Sequence, residues 1–261
     1  MHQFFCDPIC AFADNYIWRL GAPDANEVIV VDPGDAQPVL AALDAASHSL
    51  SAILMTHHHQ DHIGGVARLR QAYPQAAIIA PVDARIPMAT ERVNDGAQVP
   101  IPGLTTFEVL AVPGHTASHV AYLGAGMLFC GDTLFAGGCG RVFDGSCNQL
   151  AASLRRLAQL PPTTLCYCAH EYTLANLGFA QWVEPDNPDL AARLAKVRAQ
   201  RAAQQPSVPS TLAEELATNP FLRTQQPAVI AAAERAAGQS LADPDAVFCA
   251  LRAWKDRDYD C

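Results

Sequence analysis

The sequence has almost none of the features that mark membrane, secreted or nucleic-acid-binding proteins. No stretch approaches the roughly 18 consecutive apolar residues of a membrane-spanning helix. The amino terminus has neither the basic segment nor the long apolar segment of a signal peptide. We therefore expect a cytoplasmic protein without a membrane partner.

Positive charge is scarce. The chain has 17 lysines and arginines against 26 aspartates and glutamates, which gives a formal net charge of −9. This balance argues against nucleic acid as a partner, and against a nuclease in particular, because phosphate backbones are bound by basic surfaces. An anionic substrate would need a local group of basic side chains.

Cysteine pairs of the C-x-x-C type are absent, so a zinc site built from cysteines is not expected. The nine cysteines are odd in number and irregularly spaced, and 261 residues can fold without cross-links. We therefore expect reduced, buried thiols, as in a cytoplasm.

The sequence does contain a clear alternation of strand and helix signals. Half of its residues are hydrophobic, and short apolar runs alternate with turns and helical stretches from residue 27 to 135. The runs from 104 to 135 are typical of a β-meander. This pattern predicts an α/β or α+β sandwich.

Strand signals stop after residue 172, and helix signals continue. Thr211 and Glu214 frame a capping box, and Asp243 followed by Pro244 is typical of a helix start. We therefore predict two domains, 1–170 with sheets and 171–261 with helices only.

The segment THHHQDH, Thr56–His62, places four histidines and an aspartate directly after the apolar run SAILM. Imidazoles with pKa values near about 6.5 compete for protons when they lie this close together. A divalent cation removes the conflict, because it binds neutral imidazoles and a carboxylate. A surface turn without a ligand is the alternative, but the motif favours a metal site.

Three further donors follow apolar runs. His115 follows FEVLAV, Asp132 follows GMLFC, and His170 follows TLCYC. Strand ends are where such scaffolds carry functional residues. Together with the donors of the histidine cluster, these three residues give seven candidate ligands. This number is too large for one four-coordinate ion and suits two ions about 3.5–4 Å apart. The candidate ligands are His57, His59, Asp61, His62, His115, Asp132 and His170.

The segments THHHQDHIGG, VPGHTASH, GDTLFAGGCGR and HEYT resemble the metallo-β-lactamase superfamily. VPSTLAEEL, NPFLR and LRAWKD in the tail narrow the resemblance to its glyoxalase II, or hydroxyacylglutathione hydrolase, family. The resemblance covers nearly the whole chain. It implies an α+β fold, with a four-layer αββα sandwich as catalytic domain and a helical substrate-binding domain. We expect a monomer.

The resemblance also implies ligand roles. His58 and His119 remain structural neighbours, and Asp32 is expected to support the ligand loop. We expect Zn²⁺, although Fe and Mn accept the same donors. His57, His59 and His115 would hold the first metal, Asp61, His62 and His170 the second, and Asp132 would bridge them.

The implied reaction is hydrolysis of S-(2-hydroxyacyl)glutathione, typically S-D-lactoylglutathione, to glutathione and D-lactate. It is the second step of methylglyoxal detoxification by the glyoxalase pathway. A water bridging two cations loses a proton near neutral pH and would attack the thioester, with Asp61 and Asp132 as catalytic carboxylates. The leaving thiol, with a pKa of about 8.5, needs little help from an acid.

Glutathione carries two carboxylates, which require cations. Arg252 and Lys255 are three residues apart on the last predicted helix and share a face, although alone they are typical of a solvated surface. Phe143 stands where some family members have tyrosine, so one hydroxyl contact is expected to be missing. The family pattern assigns substrate binding to Arg141, Tyr172, Asn176, Arg252 and Lys255.

Other functions fit parts of the sequence. A persulfide dioxygenase of the same superfamily would use one iron and three ligands and would lack the long tail. A lactonase or β-lactamase would not need Arg252 and Lys255. A catalytically silent metal-binding scaffold would dock a partner and expose apolar faces on its last three helices.

Overall fold

The structure, a computed structural model, describes residues 4–259, and the chain divides into two compact units. Unit 1 comprises the chain up to Ala111 together with Ser118–Gly131. Unit 2 comprises Val112–Ala117 and the chain from Asp132 onwards.

Unit 1 contains a six-stranded mixed sheet in the order β1-β2-β3-β4-β5-β6. The first three strands are antiparallel and the rest are parallel, because helical crossovers join β3 to β4 and β4 to β5. The elements are β1 (Phe5–Ala11), β2 (Asn15–Gly21), β3 (Glu27–Val31), α1 (Ala36–Ala46), β4 (Ser49–Leu54), α2 (Gln60–Ile63), α3 (Val66–Ala72), β5 (Ala77–Pro81) and β6 (Glu91–Val93).

The helices of unit 1 bury their apolar faces in the same cluster as the sheet. Val39 and Leu43 of α1 and Leu69 of α3 are fully buried with strand residues such as Val30 and Ile53. Strands covered in this way read as continuous apolar runs, which is why EVIVV and SAIL were recognisable in the sequence.

The remaining strands of unit 1 form the predicted β-meander. Neighbouring strands pair antiparallel through short turns, with register pairs such as Val109 with Tyr122. The strands are β7 (Gln98–Ile101), β8 (Thr105–Ala111), β9 (Val120–Gly124) and β10 (Met127–Gly131).

Unit 2 is mainly helical. The capping box of Thr211 and Glu214 and the Asp243 cap with Pro244 at the first helical position are both confirmed. A short 3₁₀ helix spans Pro220–Leu222. The other elements are β11 (Leu134–Phe135), β12 (Gly138–Cys139), α4 (Cys147–Leu157), β13 (Leu165–Cys168), α5 (Thr173–Val183), α6 (Pro188–Ala202), β14 (Ser210–Thr211), α7 (Leu212–Thr218), α8 (Pro227–Ala237) and α9 (Pro244–Asp258).

Two expectations are wrong. Strands do not stop near residue 172, because β14 pairs antiparallel with β13; two residues are too few to show periodicity. The cysteines are not all reduced, because Cys147 and Cys249 form a disulfide. Nor are the remaining thiols all buried, because Cys10 is exposed. Cys261 lies outside the described residues. The described cysteines outside this disulfide are Cys6, Cys10, Cys130, Cys139, Cys166 and Cys168.

Within residues 4–259, no helix combines the length and apolarity needed to cross a membrane.

Candidate metal centre

The loop between β4 and α2 brings two of the predicted ligands together. His57 is fully buried, and its Nε2 lies 3.0 Å from Nδ1 of His59. Two ring nitrogens at this distance cannot both carry protons. At least one of these two nitrogens is therefore unprotonated, which is the form that binds a metal ion.

Asp61 and His62 lie within α2, and the side chain of Asn15 holds Asp61 in place. Asp61 Oδ2 lies 3.4 Å from His62 Nε2 and accepts a hydrogen bond of 3.2 Å from Asn15 Nδ2. No sequence pattern pointed to Asn15, because one asparagine in a strand carries no signal. At Gly34 a Cβ would lie 1.8 Å from the Asp61 carbonyl oxygen, so only glycine fits beside this turn.

Asp32 supports the ligand loop, as predicted. It follows β3 in a left-handed conformation with φ of 52° and is buried. Its Oδ1 accepts the Thr56 backbone N–H, its Oδ2 accepts the Thr56 hydroxyl, and His62 Nδ1 lies 3.0 Å from Oδ2. One carboxylate therefore orients both ends of the histidine segment.

His58 and His119 lie outside the donor groups, as expected. His119 stacks on the ring of His57 with centroids 4.7 Å apart. His58 Nδ1 lies 3.7 Å from Asp83 Oδ2, which also accepts a hydrogen bond of 2.5 Å from Ser118. Hydrogen bonding from Arg85 holds the pKa of the Asp83 carboxyl well below its usual range.

Unit 2 places Asp132 between two histidines. Asp132 Oδ2 lies 3.5 Å from His115 Nε2, and Oδ1 lies 3.5 Å from His170 Nε2. All three side chains are buried. The backbone oxygen of Arg141 lies 2.8 Å from His115 Nδ1 and fixes that ring nitrogen as the proton-bearing one. Asp132 therefore presents one carboxylate oxygen to each of the two histidines.

Among the described residues, two groups of side chains bring their donor atoms within 4.8 Å of one another. They contain all seven candidate ligands, with Asp132 in the same group as His57, His59 and His115. Imidazole nitrogens and carboxylate oxygens suit zinc, iron and manganese, so the donor set fits a pair of divalent cations. The groups are His57, His59, His115 and Asp132, and Asp61, His62 and His170.

Three of the predicted substrate residues are buried and bonded to the protein. Arg252 donates to the Cys139 carbonyl oxygen at 3.1 Å and to both carboxylate oxygens of Asp256. Lys255 Nζ donates to Asn176 Oδ1 and lies 5.8 Å from the Phe179 ring centroid. Arg252 and Lys255 are 4% and 6% exposed, so the solvated-face interpretation is wrong.

The other predicted substrate residues are exposed. Tyr172 stacks on His170 with centroids 4.6 Å apart and an interplanar angle of 8°. The Arg141 side chain is 60% exposed, with Nε 3.6 Å from Asp256. Phe143 presents its edge to His115 at 5.1 Å, so the residue that replaces tyrosine covers a candidate ligand.

Comparison with known proteins accounts for both parts of the chain. Residues 16–170 match the family model of the metallo-beta-lactamase superfamily, and residues 171–258 match that of the hydroxyacylglutathione hydrolase C-terminus. The hydroxyacylglutathione hydrolase of Ectopseudomonas mendocina is 53% identical over 96% of this chain and 98% of its own length. The chain belongs to the hydroxyacylglutathione hydrolase family. The enzyme of the same name from Alkalilimnicola ehrlichii is 54% identical over 95% of this chain and 97% of its own.

Solved structures show the same fold in more distant relatives of this hydroxyacylglutathione hydrolase family member. BLEG-1 B3 metallo-beta-lactamase has a TM-score of 0.62 at 22% identity, covering 84% of this chain and 99% of its own. ETHE1 from Myxococcus xanthus has a TM-score of 0.58 at 27% identity, covering 82% and 98%. The predicted α+β fold, helical C-terminal region and enzyme class are confirmed.

Proposed function

We propose that this enzyme hydrolyses S-(2-hydroxyacyl)glutathione thioesters, typically S-D-lactoylglutathione, to glutathione and a 2-hydroxy acid. In that role it completes the glyoxalase route of methylglyoxal detoxification. The observation that carries the proposal is the convergence of seven nitrogen and oxygen donors in two groups within a member of this family.

We assign the metals by those groups. His57, His59 and His115 would hold one divalent cation, and Asp61, His62 and His170 the other. Asp132 would bridge, and Zn²⁺ is the metal that we favour. When bound, the pair supplies a Lewis acid for the carbonyl oxygen and makes a nucleophile available at neutral pH.

The chain's own residues prepare the ligands. Thr56 and the Arg141 carbonyl oxygen fix the ring protons of His57 and His115 on Nδ1, so each Nε2 is free to bind. Asn15 directs Asp61 by donating to its Oδ2. The leaving thiol has a pKa of about 8.5, so this reaction requires no dedicated side-chain acid.

Substrate binding is assigned to the cationic and polar groups of unit 2. Arg252 and Lys255, which are buried, offer desolvated positive charge to a glutathione carboxylate, and such charges contribute more than exposed ones. Arg141, Tyr172 and Asn176 complete the proposed contacts. Phe143 offers no hydroxyl, so we expect weaker glutathione affinity than in a tyrosine-bearing relative.

We further propose that residues 1–170 form the catalytic domain and 171–261 the substrate-binding domain of a cytoplasmic monomer. Most described cysteines lie outside the Cys147–Cys249 disulfide, which fits a reducing compartment. The docking-scaffold alternative required exposed apolar faces on the last three helices. In the described part of the chain, the large apolar side chains that are exposed all lie at or before Trp182.

The decisive experiment is hydrolysis of S-D-lactoylglutathione, a β-lactam and a lactone by protein whose metal content has been measured. We expect turnover of the thioester alone. Asp132→Asn should lower kcat/KM by at least about a thousandfold, because a metal pair contributes several kcal/mol to the transition state. The exposed Asp44→Asn is the matched control. Thioester turnover that is unaffected by Asp132→Asn would contradict the proposal.

A further inference from the structure

The disulfide of unit 2 joins two helices at accessible positions. Cys147 is the first residue of α4, and Cys249 lies in α9, 102 residues further along the chain. Both are partly exposed. Cys168, by contrast, is buried, and burial raises the pKa of its thiol to about 12. The pair is therefore much more open to thiol chemistry than the buried cysteines.

The two sulfurs of this disulfide are not equivalent. Cys147 stands at the amino-terminal end of α4, directly after Ser146, whose hydroxyl accepts the Gln149 N–H. The partial positive charge of a helix amino terminus stabilises a thiolate there. Cys249 lies inside α9, away from the amino terminus of its own helix. Cys147 is therefore the better leaving group.

The thiol that reduction would create at Cys249 also has a hydrogen-bond acceptor. Asn148 Oδ1 lies 3.5 Å from Cys249 Sγ and can accept the S–H of that residue after reduction. The pair is thus compatible with both a disulfide and a dithiol state. A reversible exchange requires this property.

We propose that Cys147–Cys249 is a thiol–disulfide exchange site for glutathione. A glutathione thiolate attacks Cys249 Sγ and forms a mixed disulfide, while the bond to Cys147 breaks and Cys147 leaves as a thiolate. A second glutathione thiolate attacks the glutathione sulfur, releasing reduced Cys249 and glutathione disulfide. Two electrons pass from two glutathione molecules to the protein, and both cysteines take up protons from water.

The choice of glutathione rests on the proposed function, because hydrolysis would release it at this protein. The exchange site lies on the helix that carries Arg252 and Lys255, with Arg252 three residues after Cys249. Arg252 itself bonds to Cys139 and Asp256. Exchange would therefore break the covalent link between α4 and α9 without changing any of the seven candidate ligands.

The test is to incubate the oxidised, full-length protein with reduced glutathione, quench with acid, and locate adducts by mass spectrometry. We expect the mixed disulfide on Cys249 in at least about threefold excess over Cys147, because Cys147 leaves more readily than Cys249. In Cys147→Ser treated with glutathione disulfide, the adduct on Cys249 should persist, because no resolving thiol remains.

Cys249→Ser supplies the second variant, and Cys10, which is exposed in β1, is the internal control. In this variant, Cys147 should react with glutathione disulfide about threefold faster than Cys10, because the amino terminus of α4 stabilises its thiolate. Absence of adducts in native protein, or equal labelling of Cys10, would overturn the proposal. The assay contains no thioester, so its failure is distinguishable from failure of the hydrolase proposal.

Discussion

Thr56 donates its only hydroxyl proton to Asp32 Oδ2 at 2.8 Å. The Thr56 Oγ1 atom also lies 3.0 Å from His57 Nδ1, so this hydroxyl oxygen must accept the proton carried by that ring nitrogen. His57 is thereby held with an unprotonated Nε2. A buried carboxylate sets the tautomer of a candidate ligand through one intervening hydroxyl.

This relay predicts that Thr56→Val weakens metal binding although Thr56 is not a candidate ligand. Loss of such an outer hydrogen bond costs about 10- to 100-fold in metal affinity. Competition with a chromophoric chelator would measure it. Thr56→Ser, which keeps the hydroxyl, should bind metal nearly as the parent does. Equal affinities for the valine and serine variants would show that the relay is unimportant.

Arg252 and Lys255 should affect substrate binding far more than turnover. Removing both with alanine takes two desolvated cations from the proposed glutathione site, and we expect KM to rise about 10- to 100-fold. Steady-state kinetics on S-D-lactoylglutathione would show kcat changing much less. Arg257→Ala, on the exposed side of the same helix, is the control. A fall in kcat at unchanged KM would refute the assignment.

Asp83 should make a pH-dependent contribution to stability. Its carboxyl has a lowered pKa in the folded protein because of its hydrogen bonds with Arg85 and Ser118. The ionised carboxyl therefore stabilises the fold fully above pH about 3.9, which is the pKa of this group in the unfolded chain. This contribution is lost as the pH falls through the lower pKa of the folded protein.

Asp83→Asn should lower the free energy of unfolding by about 1–3 kcal/mol at neutral pH. The difference from the parent should shrink as the pH falls below about 3.9, since the unfolded parent then binds a proton at Asp83, and should vanish once the folded carboxyl is protonated as well. Urea unfolding of metal-free protein at several pH values would measure it, with the exposed Asp24→Asn as control. A difference that does not vary with pH would argue against an electrostatic origin.

The Cys147–Cys249 disulfide should stabilise the fold. It closes a loop with a sequence separation of 102, and native cross-links of this kind contribute about 2–5 kcal/mol. Urea unfolding with and without tris(2-carboxyethyl)phosphine, which binds metals weakly, would measure the loss on reduction. The double variant Cys147→Ser, Cys249→Ser should not respond to the reductant. Identical parent curves in both conditions would contradict the expectation.

The candidate ligands could be found from the sequence because each follows an apolar run. Strand ends are readable from local pattern, and the buried runs before His115, Asp132 and His170 are all strands or lead directly from one. The histidine cluster is also recognisable by its composition, because four histidines and an aspartate within seven residues are typical of a metal site. These features need only a few neighbouring residues to be recognised.

Relationships between distant residues could not be found in this way. Cys147 and Cys249 are joined only because α4 and α9 pack together. The sequence of neither helix predicts this contact. Arg252 was expected from its charge to favour solvent, but packing against Cys139 and Asp256 buries it. Burial of a charged side chain depends on partners that a local pattern does not contain.

Asp132 faces His115 with one oxygen and His170 with the other. Any ion beside the first histidine therefore draws on the same single negative charge as an ion beside the second. With Asp132 as the proposed bridge, the two ions would share one ligand, and their occupancies would not be independent. Loading of this protein should be a coupled process, in which the first ion changes the affinity for the next.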